Sequence, residues 1–177
     1  MIRAAALLAV VLLGGCASVP KVSGVEAGEL LSGRLSVRVE ASAGVEAKSL
    51  SAAFELAGTP ESGRLDLSTP LGTVLARARW QPGQVRLSTP EGDTGYADLD
   101  MLTRELLGEA LPVAALFDWL QGRPWPGAAS TVSASPTEPG FAQLGWAVNL
   151  ARFDEAWVLA RRERAPAVTV RAKLDRP

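Results

Sequence analysis

Histidine is absent from the 177 residues, and cysteine and tyrosine each occur once. The first absence removes the commonest general base, the usual partner of a catalytic serine and the commonest transition-metal ligand. The lone Cys16 has no partner for an internal disulfide. An excess of charge of one sign is lacking too. The 18 basic and 19 acidic residues leave a net charge of −1 and a pI of about 5.6, which gives no ground for expecting a nucleic-acid partner. No Gly-x4-Gly-Lys phosphate loop occurs, and no metal or cofactor is expected. The length suits one domain with a sizeable core.

What is present begins with a leader. Arg3 gives a positive start and Ala4 to Leu13 is an apolar run, well short of the ~20 residues that span a bilayer. It ends in Leu13-Gly14-Gly15-Cys16, small residues directly before the cysteine. This resembles a bacterial lipobox, in which the leader is cleaved and Cys16 becomes the lipid-bearing first residue. The plainer alternative is a secretory signal with an unpaired cysteine nearby. Residues 1–15 are thus expected to be a lipoprotein signal peptide. Ala17, rather than Asp, follows the cysteine; by the sorting rule in which aspartate retains a lipoprotein in the inner membrane, this implies the outer one. Residues 16–28 are small, polar and punctuated by Gly and Pro, a tether reaching roughly 20 Å as a flexible coil. Residues 29–177 make up the domain.

Period-2 segments follow. Leu35, Val37 and Val39 alternate with Arg34, Ser36, Arg38 and Glu40, the pattern of a half-buried strand. Phe54 and Leu56, Leu65 and Leu67, Val74 through Trp80, and Val85 and Leu87 continue it. Turns separate most of them: 59–63, Pro82-Gly83, and Pro90-Glu91-Gly92-Asp93. Short strands with tight turns predict an antiparallel meander, each strand with one apolar face.

The period then changes. Asp98 is placed to cap a helix over Leu99–Leu107, with Leu102 and Leu106 on it and Gly108 ending it. A second helix follows over Leu111–Leu120. Pro112 suits its first turn, Gly122 its end, and Pro124 prevents restart. Val113, Leu116, Phe117 and Leu120 fall at i, i+3, i+4, i+7, and Trp119 widens that stripe. Residues 122–140 read as a mobile Pro/Gly/Ser/Ala-rich loop. Strands resume with Trp146, Val148 and Leu150, then 157–160, then Val168 to Leu174. Meander, two helices, meander has no βαβ rhythm, so a parallel sheet is not the expectation. The fold class is mainly β with short helices: a curved antiparallel sheet covered by them. Pattern leaves open whether sheet and helices meet in a dry core or enclose an apolar cavity.

Several pieces together resemble the outer-membrane lipoprotein receptor family LolB. They are Leu31-Ser32-Gly33-Arg34-Leu35, Pro70-Leu71-Gly72, the block Leu107-Gly108…Leu111-Pro112…Leu116…Trp119-Leu120…Gly122…Pro124, and Gln143-Leu144-Gly145-Trp146-Ala147-Val148. The resemblance implies an unclosed antiparallel β-barrel with a helical lid and an apolar cavity. That cavity would take acyl chains of lipoproteins delivered by the soluble periplasmic carrier LolA, for release into the outer membrane. This is binding and transfer, with no enzymatic step. The implied partners are LolA, the acyl chains of cargo, and outer-membrane lipid through the Cys16 anchor, with the protein itself a monomer. Cavity-lining candidates are Leu35, Val37, Phe54, Leu65, Leu67, Val85, Leu87, Leu102, Leu106, Leu116, Trp119, Leu120, Trp146 and Val148, each of which would serve equally as plain core. Pro70 presets a tight turn that Gly72 closes, leaving Leu71 at its tip; the resemblance gives this leucine a membrane role in release, whereas a plain turn leucine folds back on the sheet edge.

Two rival readings compete with this one. Ser18-Val19-Pro20-Lys21 matches the Ser-x-x-Lys string of penicillin-binding enzymes, but lies in the tether. Asp98 and Asp100 form a carboxylate pair, yet stand at a helix start, where acids are favoured electrostatically. The other rival is a structural or assembly lipoprotein that binds protein partners instead of acyl chains.

Overall fold

The computed structural model describes residues 30–175, apart from Val45 and Pro136. The leader, Cys16 and the tether lie outside the described residues. In chain order the elements are β1 (Leu30–Val39), β2 (Lys48–Gly58), β3 (Gly63–Ser68), β4 (Val74–Gln81), β5 (Gln84–Thr89), β6 (Gly92–Tyr96), α1 (Leu99–Leu107), α2 (Val113–Trp119), β7 (Ser130–Val132), β8 (Gly140–Gln143), β9 (Trp146–Asn149), β10 (Trp157–Arg162) and β11 (Val168–Leu174).

All strands join one antiparallel sheet in the order β6-β5-β4-β3-β2-β1-β11-β10-β9-β8-β7. Each of the two meanders pairs in sequence, and the first strand joins the last, from Gly33 opposite Leu174 to Val39 opposite Val168. Gly33 is required there: a Cβ on it would stand well inside contact distance of the Lys173 carbonyl oxygen. The order ends in β6 on one side and β7 on the other, so the sheet curls without closing.

Register carries the alternation from strand to strand. Val37 lies opposite Leu50 and Val170, Phe54 opposite Leu67, Ala78 opposite Leu87, and Val170 opposite Ala160. One face of the sheet is therefore apolar along β1 to β5 and β8 to β11, interrupted only at Gln143 and Arg162. Its residues and those of both helices form one buried cluster, each fully buried large side chain contributing about 1.5–3 kcal/mol.

The end signals of α1 act as expected. The Asp98 carboxylate accepts the Met101 N–H at 2.7 Å, and Gly108, at φ 80°, donates to the Arg104 carbonyl at 2.8 Å. Thr103 links the helices: its hydroxyl donates to the Leu99 carbonyl at 3.0 Å and accepts the Leu111 N–H at 3.0 Å. The Lys48 ammonium reaches the Leu106 carbonyl at 3.3 Å, tying the end of α1 to the start of β2, where a cation also meets the negative end of the helix dipole.

Three expectations need correction. The turn expected over Pro90–Asp93 ends at Gly92, where β6 begins; this strand has no apolar alternation and is held on β5 by backbone pairing from Val85–Tyr96 to Thr89–Gly92. The 122–140 loop contains β7, which pairs with β8. The second helix begins at Val113 and is buried nearly all round: Ala115, Phe117, Asp118 and Trp119 are buried, and Leu116 is only half-buried. The expected stripe assumed one packed side, whereas this helix packs in two directions, on β4 through Phe117 and on β8 and β9 through Trp119.

Candidate functional site

The turn from β3 to β4 is built as its residues dictate. The Gly72 N–H donates to the Thr69 carbonyl at 2.9 Å, and Thr69 and Thr73 pair backbone to backbone at 2.8 Å. The Thr69 hydroxyl accepts the Thr73 N–H at 3.1 Å, and Gly72 adopts φ 85°. Pro70 and Leu71 occupy the corner, and Leu71 is 94% exposed. A leucine so exposed contributes almost nothing to folding, so its apolar side chain is available to something outside the domain.

The expected cavity residues divide into three groups. Val37, Phe54, Val85, Leu87, Leu102, Trp119, Leu120, Trp146 and Val148 are buried in the common cluster. Leu35, Leu65, Leu67 and Leu116 face it but are only half-buried, as are Leu50 and Ala76 beside them. Leu106 is 44% exposed and Leu107 is the buried residue of that helix end. Helix phase sets Leu106 on the side of Leu102, but the last turn of α1 leaves it uncovered. Within this group Leu67 on β3 pairs directly with Ala76 on β4, Leu65 lies two residues along the same face of β3, and Leu35 and Leu50 stand diagonally across β1 and β2. Leu67 and Ala76 flank the turn that carries Leu71.

The centre of the cluster is closed. Trp119 is fully buried, edge-on to Phe141 at 6.4 Å and tilted against Trp146 at 6.1 Å between ring centroids. Phe117 meets Trp80 edge-on at 6.0 Å. The helices thus fill the concave face as a plug held by aromatic rings.

Two polar clusters pin the plug, and sequence reasoning missed both. The Gln143 amide accepts the Trp119 indole N–H at 2.7 Å and the Trp125 N–H at 2.9 Å, and donates to the Trp125 and Ala128 carbonyls at 2.7 Å each. This pins the stretch after α2 that was expected to be mobile. Arg162, also buried, donates to Glu109 at 2.7 Å and to the Pro166 carbonyl at 3.2 Å, with its guanidinium 5.5 Å from the centre of the Trp146 ring. Glu109 lies in the connection between α1 and α2, so this pair ties the helical segment to β10. A signal existed for Arg162: it continues the inward alternation Val158, Ala160, Arg162, a charge at a core position.

The resolved pKa shifts fall on surface groups. Glu155 and Asp93 are held below the ordinary carboxylate range, the first by hydrogen bonding from Arg152, the second by the Ser88 hydroxyl and then Arg86. Tyr96 is raised by burial and then by Glu105.

The family profile described as "LolB: Outer membrane lipoprotein LolB" matches residues 30–174. The outer-membrane lipoprotein LolB of Bordetella petrii is 35% identical over 176 residues, covering 94% of this chain and 88% of that protein. That of Bordetella pertussis is 34% identical over 183 residues, 97% and 89% of the two chains. That of Cupriavidus pinatubonensis is 38% identical over 155 residues, 81% and 72%.

Proposed function

Because the chain belongs to the LolB family of outer-membrane lipoproteins, we propose that it is the receptor that takes acylated lipoproteins from the soluble periplasmic carrier LolA and hands them to the outer membrane. It sits on the periplasmic face of that membrane, held by lipid on Cys16. The observation that carries the reading is the fully exposed Leu71 on a turn whose base is formed by the half-buried, inward-facing Leu67 and Ala76.

Transfer needs no covalent chemistry. Each methylene buried is worth ~0.8 kcal/mol, so an acceptor that offers more apolar surface than its donor draws the chain forward. Leu35, Leu65, Leu67 and Leu116 are where an acyl chain first finds such surface. Deeper burial requires the plug of α1 and α2 to shift as a lid, opening the cavity behind it. Leu71 contacts the membrane where cargo leaves. One buried leucine is worth about 1.5–3 kcal/mol, too little to hold a domain on a bilayer, so anchoring belongs to Cys16 and Leu71 makes a local, reversible contact.

The test mixes the chain lacking its leader and lipid with LolA already loaded with lipoprotein, then separates the two proteins. Cargo moving to this protein supports the receptor. Cargo staying on a LolA that is competent toward another acceptor replaces that reading with a structural or assembly lipoprotein.

A further inference from the structure

The outer face of the sheet carries a basic cluster that the fold neutralises only at Lys173. Arg34 on β1 lies directly opposite Lys173 on β11, and Arg171 lies opposite Ser36, one step along the same face. Like charges directly opposed across two strands destabilise a sheet. Neither Arg34 nor Arg171 is paired with a carboxylate among the described residues. The nearby acids leave the two arginines unpaired. Glu155 is paired with Arg152 at 2.6 Å and also draws Lys173, whose ammonium donates to the Glu155 carbonyl. Asp175 accepts the Ser32 hydroxyl at 3.3 Å, and Glu55, diagonal to Arg34, lies 4.0 Å from Arg64.

Trp157 stands opposite Lys173 on β10. Its ring centre lies 5.7 Å from the Lys173 ammonium and 5.5 Å from the Arg152 guanidinium. A groove of about 280 Å³ runs between these groups, lined by Arg34, Ser36, Arg171, Lys173 and Trp157, and Pro70 closes one side of it. The basic floor therefore borders the turn from which Leu71 projects.

We propose that this groove is the face laid on an anionic phospholipid surface, with Arg34, Arg171 and Lys173 on lipid phosphates, the Trp157 indole among the headgroups, and Leu71 inserted beyond them. It rests on the reading above only in taking Leu71 to a membrane. Guanidinium groups suit phosphate through paired N–H donors. An indole between cations, with an apolar tip alongside, matches a lipid–water interface. An acidic protein surface would satisfy the cations and leave Leu71 unused.

The test uses the chain from Ala17 onward, which keeps every described residue and with them the apolar cluster found within residues 31–174. Binding is measured by flotation with vesicles of phosphatidylcholine alone, and with phosphatidylglycerol as about a third of the lipid. Anionic lipid is expected to raise binding by about tenfold or more at low salt and by much less at high salt. R34S/R171S is expected to lose most of that gain, each cation being worth about fivefold, with a Tm no lower than wild type. L71E is expected to weaken binding to both vesicles. Binding indifferent to phosphatidylglycerol, or unchanged in R34S/R171S, overturns the proposal. So does loss of transfer from loaded carrier in vesicle-free solution with vesicle binding intact, which assigns the groove to an acidic protein. A wild-type chain that prefers anionic vesicles but accepts no cargo supports this face and removes the receptor reading. One that accepts cargo and ignores phosphatidylglycerol does the reverse.

Discussion

The Trp119 indole and the Gln143 amide meet inside the domain at 2.7 Å, N–H to carbonyl oxygen. Through that amide the end of α2, the chain at Trp125 and Ala128, and β8 are held to one point. Position 143 is an inward position of its strand, where the alternation calls for an apolar side chain.

Gln143→Leu is expected to destabilise the domain by about 3 kcal/mol. A leucine fits the apolar surroundings but strands the Trp119 and Trp125 N–H groups and two carbonyls, and a buried donor left unmade costs about 1–3 kcal/mol. Urea unfolding measures the loss, and proteolysis near residues 125–128 locates it. An unchanged midpoint with the segment still protected would mean that the rings alone hold α2.

Arg162 and Glu109 make the second tie. Arg162→Met leaves Glu109 largely enclosed and without its cation, so a loss of about 3 kcal/mol is expected. Adding Glu109→Leu removes the stranded charge and is expected to restore at least half of it. Thermal unfolding of the four members of this cycle checks the coupling; additive losses would show that the two residues do not act as a pair.

Leu71→Glu is expected to change stability by less than about 0.5 kcal/mol, since an exposed turn residue has no packing to lose. The same variant, taking cargo from loaded LolA normally, is expected to fail in passing it to vesicles. Normal delivery by Leu71→Glu would take the turn out of the mechanism.

The parts of this fold that could be read in advance are those whose causes are local. The helix α1 carries both end signals within its own residues, Asp98 and Gly108, and the strands with alternating leucine and valine declare their inward face. β6 could not be read because Gly92–Tyr96 pairs through its backbone and has no apolar rhythm to betray it. Leu106 shows the limit of helix phase, which says which way a side chain turns but not how far the facing wall extends. Glu109 and Arg162 are 53 residues apart, and only the order of strands brings them together. The turn at Leu71 was legible because Pro70 and Gly72 specify it locally, whereas the outward leucine was implied only by the family resemblance. The basic groove was not, since Arg34 and Lys173 become neighbours only when the first strand joins the last.

The turn between β8 and β9 stores strain that a pair of variants can isolate. Gln143 and Trp146 pair directly, leaving a two-residue link in which Leu144 and Gly145 both have positive φ, 54° and 77°. Such hairpins favour Asn-Gly, because the first position needs a left-handed backbone that costs most residues roughly 1–2 kcal/mol. Leu144 is 47% exposed, so removing it also forfeits some burial, and its replacement by asparagine alone would mix two opposing effects. Alanine loses the same burial but keeps the strained Cβ. Leu144→Asn is therefore expected to be more stable than Leu144→Ala by about 1 kcal/mol, whichever side of wild type either falls. Denaturant midpoints of the two variants decide it. If the alanine variant is equal or better, the positive φ at 144 carries no cost here, and the leucine in this turn needs a different explanation.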